Sequence, residues 1–86
     1  MATLTLLTRA YCHLCDDMRA ALLPLLAGDD VLVEIDVDAD PAAEAAHGGD
    51  VPVLFLGSPA GGTQLCRWHL DAAKVTAALA PQSKMR

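Results

Sequence analysis

Apolar positions recur at two spacings along this chain of 86 residues, and these spacings predict its secondary structure. Short apolar or alternating runs predict strands, whereas apolar residues three or four positions apart predict amphipathic helices. The stripe that predicts the first helix consists of Leu14, Met18, Leu22 and Leu25. Pro24 should kink or end that helix, because proline removes a helical hydrogen bond. The predicted strands are 3–8, 31–37, 51–57 and 63–70, and the later helices are 42–47 and 72–80.

Capping and turn residues separate these elements. Asp40 and Pro41 suit the N-cap and the first position of the second helix, and Asp71 suits the N-cap of the third. The segment SPAGG, 58–62, should join the last two strands into a hairpin. Since a right-handed crossover makes the first two strands parallel, the order β-α-β-α-β-β-α predicts an α/β fold with a four-stranded mixed sheet ordered 2-1-3-4. We expect one domain over 1–86, with its core at 3–80 and a frayed polar tail at 81–86.

Composition and charge narrow the function classes. Hydrophobic residues make up 53% of the chain but aromatic residues only 3%, so aliphatic side chains must build the core. The formal net charge is −5 and no basic stripe is present, so we expect no nucleic-acid partner. No apolar run is long enough to span a bilayer, and no secretory signal opens the chain. We therefore expect no membrane partner and a cytoplasmic location.

Cys12 and Cys15 form a C-x-x-C pair where the first strand gives way to the first helix. In a cytosolic chain with three cysteines, this spacing is more often catalytic or metal-binding than structural. Unpaired backbone N–H groups and the helix dipole stabilise a thiolate at a helix N-terminus, so Cys12 should titrate below an ordinary thiol. Arg9 is a further candidate to stabilise that thiolate. Cys15 should be more buried, and the alternative is that both cysteines only pack.

A zinc site is a second interpretation of the cysteines. Its four ligands would be Cys12, Cys15, Cys66 and His69. The two halves are separated by about 50 residues, more than common zinc sites show. Alternation along the fourth strand places Cys66, Trp68 and Leu70 on one face, and Leu65, Arg67 and His69 on the other. The first face resembles the buried one, so we expect Cys66 to be buried and to contribute packing only. No metal site and no cofactor are expected.

Three segments carry a resemblance to a known family: TLLTRAYCHLC, GGDVPVLFLG, and an LC strand that runs into LDAAKV. They resemble the thioredoxin superfamily and, within it, the small bacterial glutaredoxin-like proteins. The resemblance implies a three-layer sandwich in which Cys12 is the nucleophile, Cys15 resolves the mixed disulfide and Pro52 is a cis-proline. It also implies that the backbone of Val51 pairs with an extended substrate. The expected substrate-binding set is completed by Arg9, Tyr11 and His13.

The chain departs from the glutaredoxin pattern between the two cysteines and around the hairpin. His13 and Leu14 stand where glutaredoxins usually carry Pro-Tyr, and His13 either donates to the nearby thiolate or lies solvated at the surface. The glycine pair 61–62 precedes the fourth strand, whereas glutaredoxins hold glutathione with a pair that follows the hairpin. Only Asp71 remains near that place. Asp50 also adds a negative charge where an anionic tripeptide would lie.

The sequence therefore predicts a thiol–disulfide oxidoreductase that exchanges disulfides through its C-x-x-C pair. Its partner would be a disulfide-containing protein or a small thiol, and glutathione is the weaker candidate. The alternative is a non-catalytic binding or redox-sensing module of the same fold, whose segment 51–52 docks a partner peptide.

Overall fold

The structure is a computed structural model that describes residues 2–79. Its elements follow one another in the predicted order. The strands are β1 (Thr3–Thr8), β2 (Val31–Asp36), β3 (Val53–Leu56) and β4 (Thr63–Arg67). The helices are α1 (His13–Leu22), α2 (Pro41–His47) and α3 (Ala72–Leu79), with short 3₁₀ turns at Leu23–Leu25 and Val37–Ala39. The predicted frayed tail, 81–86, and the predicted last residue of α3, Ala80, lie outside the described residues.

The four strands form one mixed sheet in the order β2-β1-β3-β4, which confirms the predicted topology. β1 pairs with β2 in parallel, and the β1–β3 and β3–β4 pairs are antiparallel. Leu7, near the end of β1, pairs with Ile35 on one side and with Val53 on the other. Val53 in turn pairs with Arg67. The ends of β1, β2 and β4 and the start of β3 therefore meet at one end of the sheet, hereafter the redox end.

Helices cover both faces of the sheet and make the predicted three-layer sandwich. On one face, α1 and α3 pack against β1, β3 and β4 through Leu4, Leu6, Met18, Leu22, Leu54, Leu65 and Val75. On the other face, Leu7, Val37, Val53 and Phe55 form a second cluster, which Ala43 of α2 covers. Because both clusters are aliphatic apart from Phe55, burial of branched side chains supplies most of the stabilisation. In the range 2–79, no helix is both long enough and apolar enough to cross a bilayer.

The predicted inward stripe of α1 is wrong at its first position. Leu14 is 37% exposed, whereas Cys15, Met18 and Leu22 are buried. The helix begins at His13, and a disulfide joins Cys15 to Cys12, the residue just before the helix. Cys15 therefore takes the inward position in the first turn. The predicted end is confirmed, since Pro24 lies in the 3₁₀ turn that follows α1.

The predicted inward face of β4 holds for Cys66 and Leu70, which pack against the first core cluster, but is wrong for Trp68. The pairing register shifts between Leu54 and Phe55, which face Cys66 and Gln64, so Leu65 is the extra residue of a bulge. The bulge breaks the alternation, and Leu65 is buried in the first core cluster while Cys66 is only half-buried beside it. The strand ends at Arg67 rather than at position 70. Trp68, which we expected in the core, is 43% exposed.

Candidate redox site

Cys12 is the N-cap of α1. Its backbone is extended, with φ −109° and ψ 107°, and its carbonyl accepts a hydrogen bond from the N–H of Asp16 at 3.2 Å. Its Sγ accepts the N–H of Cys15 at 3.1 Å. This sulfur thus takes the place that a serine or aspartate oxygen fills in most N-caps. It lies where the helix dipole and an unpaired backbone donor favour negative charge.

Cys12 and Cys15 are joined by a disulfide, with their Cα atoms 5.2 Å apart. Cys15 is 1% exposed and packs under the helix, whereas Cys12 is half-buried. The predicted difference in burial is confirmed. A reagent or substrate approaching from solvent therefore reaches the first sulfur more easily than the second.

Pro52 lies beside the cysteine loop because of the strand register. The Val51–Pro52 peptide bond is cis, as predicted. Pro52 directly precedes β3, whose first residue, Val53, pairs with Leu7 of β1. β1 ends one residue after Leu7, at Thr8, and the cysteine loop follows. Pro52 is fully buried, and its carbonyl accepts the N–H of Trp68 at 2.8 Å. Val51 is half-buried against the second core cluster.

Arg9 connects the cysteine loop to α2. Its Nε donates to Asp38 at 3.1 Å, its Nη2 to Glu44 at 3.0 Å, and its Nη1 to the carbonyl of Gly48 at 3.3 Å. Desolvation opposes the charged form, but the two carboxylates outweigh it and raise the pKa of the guanidinium. The predicted help of Arg9 to the Cys12 thiolate stays a prediction. The acidic partners carry no sequence signal that separates them from the other acids of this region.

Two other predicted binding residues flank Cys12 and are exposed. Tyr11 is fully exposed, and its φ of +60° places it in the left-handed region that few non-glycine residues adopt. His13 is exposed at the first position of α1. Its predicted donation to the thiolate stays a prediction.

Sequence reasoning missed a group of three side chains on the other side of Pro52. Asp50 forms an ion pair with Arg67 at 3.3 Å, and the Arg67 guanidinium lies 4.4 Å from the centre of the Trp68 ring. Alternation assigned Trp68 to the core, because no sequence signal marks the end of β4 at Arg67 or the positive φ of Trp68. We call these three residues the Trp68 stack.

The four residues of the zinc interpretation do not assemble into a metal site. Within the described part of the chain, no group of three or more histidine, cysteine, aspartate or glutamate residues could hold a metal ion. Cys66 is half-buried next to α3, where desolvation raises the pKa of its thiol. Its surroundings keep this sulfur in the neutral form, which packs well and attacks disulfides poorly.

Comparisons with known proteins agree with this geometry. The family model described as "Glutaredoxin-like domain (DUF836)" matches residues 3–80. A crystal structure of the structural-genomics target protein XcR50 from X. campestris is 39% identical, with a TM-score of 0.68 over 88% of this chain and 93% of that chain. The solution structure of protein Ne2328 from Nitrosomonas europaea is 28% identical, with a TM-score of 0.73 over 92% of each chain. No curated protein matches the sequence.

Proposed function

The chain belongs to the glutaredoxin-like domain family, and from that premise we propose that it is a thiol–disulfide oxidoreductase acting through Cys12 and Cys15. One observation carries the proposal. The Cys12 sulfur caps α1 and accepts a backbone N–H, so the environment that binds the sulfur also stabilises its negative charge. A cysteine used only for packing gains nothing from that placement.

Reduction of a substrate would proceed in two displacements. The Cys12 thiolate attacks one sulfur of the substrate disulfide; a Cys12–substrate disulfide forms, and the other substrate sulfur leaves as a thiolate that takes up a proton. Cys15 then loses its proton and attacks the Cys12 sulfur, which forms the Cys12–Cys15 disulfide and releases the second substrate thiol. Two electrons pass from the cysteine pair to the substrate. A dithiol, or two molecules of a monothiol, then reduces the pair again.

Cys15 is suited to the second displacement. It is covered from solvent, and its Cα lies 5.2 Å from that of Cys12, inside the range that a disulfide spans. Because the two sulfurs belong to one helical turn, the second displacement is intramolecular and its effective concentration is high. Substrates therefore stay attached only briefly.

The residues before β3 would position the substrate. We propose that the Val51 backbone pairs with an extended peptide and that Tyr11 contacts the same peptide from the cysteine loop. Pro52 has no N–H of its own, so it places no competing donor beside the sulfur. We also propose a cytoplasmic location, where the cellular thiol pool keeps such a pair reduced.

Trapping of a defined peptide disulfide tests the proposal. In a Cys66→Ala background, Cys15→Ser should accumulate a mixed disulfide with the peptide, visible by mass spectrometry, because Cys12 can attack but nothing resolves the product. Cys12→Ser should accumulate little, since Cys15 is covered. If both variants trap the peptide equally, or neither does, the cysteine pair belongs to a non-catalytic binding or sensing module instead.

A further inference from the structure

The backbone at Trp68 is held in an unusual turn. Its φ is +66°, and the N–H of His69 donates to the carbonyl of Arg67 at 2.7 Å. A hydrogen bond from residue i+2 to residue i around a central residue with positive φ defines the classic γ-turn, which is rare and strained. Trp68 also donates its own N–H to the carbonyl of Pro52. The turn is therefore fixed to the residue that precedes β3.

Packing of the Trp68 side chain does little to offset the strain of this backbone conformation. It is 43% exposed and belongs to neither core cluster. The chain has one tryptophan, one tyrosine and one phenylalanine. The phenylalanine is buried, whereas Trp68 and Tyr11 are exposed at the redox end and both have positive φ. Strained residues persist where the surrounding structure holds them, and such residues cluster at ligand-binding sites.

The orientation of the indole is set by the Trp68 stack. The Arg67 guanidinium covers part of the ring at 4.4 Å, and Asp50 holds the guanidinium by an ion pair. An ordered aromatic ring offers contact area with little loss of side-chain entropy on binding. The stack therefore fits a binding platform better than a mobile surface residue.

The platform lies within reach of a peptide attached to Cys12. β1, which leads to the cysteine loop, and β4, which leads to Trp68, lie on either side of β3. Two strand spacings separate them by roughly 10 Å. An extended peptide covers about 3.3 Å per residue. A side chain two or three positions from the reacting cysteine of a peptide would thus meet the indole.

Charge disfavours an acidic ligand at this platform. The three arginines in residues 2–79 are Arg9, Arg19 and Arg67, and each is paired with a carboxylate. Asp50 and Asp38, both next to the redox end, are two of those carboxylates. No arginine among these residues is therefore left to bind a carboxylate of the ligand, whereas an apolar side chain needs no such partner.

We propose that Trp68 determines specificity by binding an aromatic or aliphatic side chain two or three positions from the reacting cysteine of an extended peptide disulfide. This inference rests on the proposed function, which supplies the disulfide substrate. The platform selects peptides with apolar neighbours over those with acidic neighbours. Glutathione, which carries two carboxylates and no apolar side chain, makes no use of it.

Binding and turnover measured separately test this inference. Two peptides of equal length carry leucine or aspartate at the second and third positions from an S-methylated cysteine, and calorimetry gives their Kd. The wild-type protein should prefer the leucine peptide, and Trp68→Ala should weaken that binding by about three- to tenfold, as expected for one aromatic contact. Trp68→Phe should restore most of the preference. Leu23→Ala, which truncates an exposed apolar residue on the turn after α1, is the matched control and should change neither Kd.

Equal binding of both peptides, or an unchanged preference in Trp68→Ala, would overturn the inference. The corresponding peptide disulfides then report on turnover. If both peptide disulfides are turned over and Trp68→Ala does not change their relative rates, the platform is refuted and the proposed oxidoreductase activity stands. A Trp68-dependent preference in binding without any turnover supports the platform and refutes the oxidoreductase.

Discussion

Trp68→Gly should be more stable than Trp68→Ala, the reverse of the order at ordinary positions. Both substitutions remove the indole and its contact with Arg67, so that loss cancels in the comparison. The remaining difference is the fit of each residue to a φ of +66°. Glycine adopts positive φ without a steric cost, whereas the Cβ of alanine approaches the following carbonyl oxygen.

The size of the difference follows from two opposing terms. Left-handed backbone costs a residue with a Cβ about 1–2 kcal/mol. Glycine in turn loses about 0.4–1 kcal/mol more than alanine through the entropy of the unfolded chain. The net advantage of glycine at position 68 is therefore about 0–1.6 kcal/mol, with a midpoint near 0.8 kcal/mol. In a domain of this size, 1 kcal/mol corresponds to roughly 4–8 °C in Tm.

Urea denaturation of the oxidised proteins, followed by circular dichroism, measures this difference. The control pair is Thr76→Gly and Thr76→Ala, at an exposed position within α3, where alanine should be the more stable by about 1 kcal/mol. If Trp68→Ala exceeds Trp68→Gly in unfolding free energy, as alanine exceeds glycine at position 76, the strained turn does not exist in solution. The strained backbone would then no longer support a binding role for Trp68.

Three other predictions concern Arg9, the third cysteine and the core. Arg9→Met should raise the pH midpoint of Cys12 alkylation, because it removes a positive charge near the cysteine loop and leaves Asp38 and Glu44 unpaired; an unchanged midpoint would contradict the predicted help of Arg9 to the thiolate. Burial raises the pKa of Cys66, so its contribution to stability is complete below the unfolded pKa and is lost as the pH rises through the folded value. Melting curves should therefore show wild type losing stability relative to Cys66→Ala as the pH rises above about 8.5, the value for a free thiol, and a constant difference would contradict this. Leu6→Ala, at a fully buried position, should cost about 2–5 kcal/mol in urea denaturation, and a cost below about 1 kcal/mol would mean that the sheet repacks around it.

The strand order and the helix caps could be predicted because local chemistry determines them. Asp40 and Asp71 accept backbone N–H groups at the starts of α2 and α3, as their positions before helical segments indicate. A short helical crossover and a tight turn leave few other topologies for four strands. The third strand is predicted over 51–57, but β3 begins only at Val53, after Pro52, because proline is excluded from strand interiors.

The errors arose where a contact between distant residues overrides the local pattern. The bulge at Leu65 depends on pairing with β3 and brings Leu65 to the unexpected face, and the turn that exposes Trp68 depends on a hydrogen bond to the carbonyl of Pro52. Arg9 depends on acids about 30 residues further along the chain, Asp38 and Glu44, which no spacing rule connects to it. Periodicity describes each element alone, so it cannot show either effect.

The pKa of Cys12 decides whether the start of α1 makes this cysteine the nucleophile. A variant with Cys15→Ser and Cys66→Ala retains one cysteine and the backbone N–H that the Cys12 sulfur accepts. Its rate of alkylation by iodoacetamide, measured from pH 4 to pH 10, gives the midpoint of thiolate formation. We expect a midpoint clearly below the value of about 8.5 for a free cysteine. A midpoint at or above that value would contradict the claim that the start of α1 makes Cys12 the nucleophile.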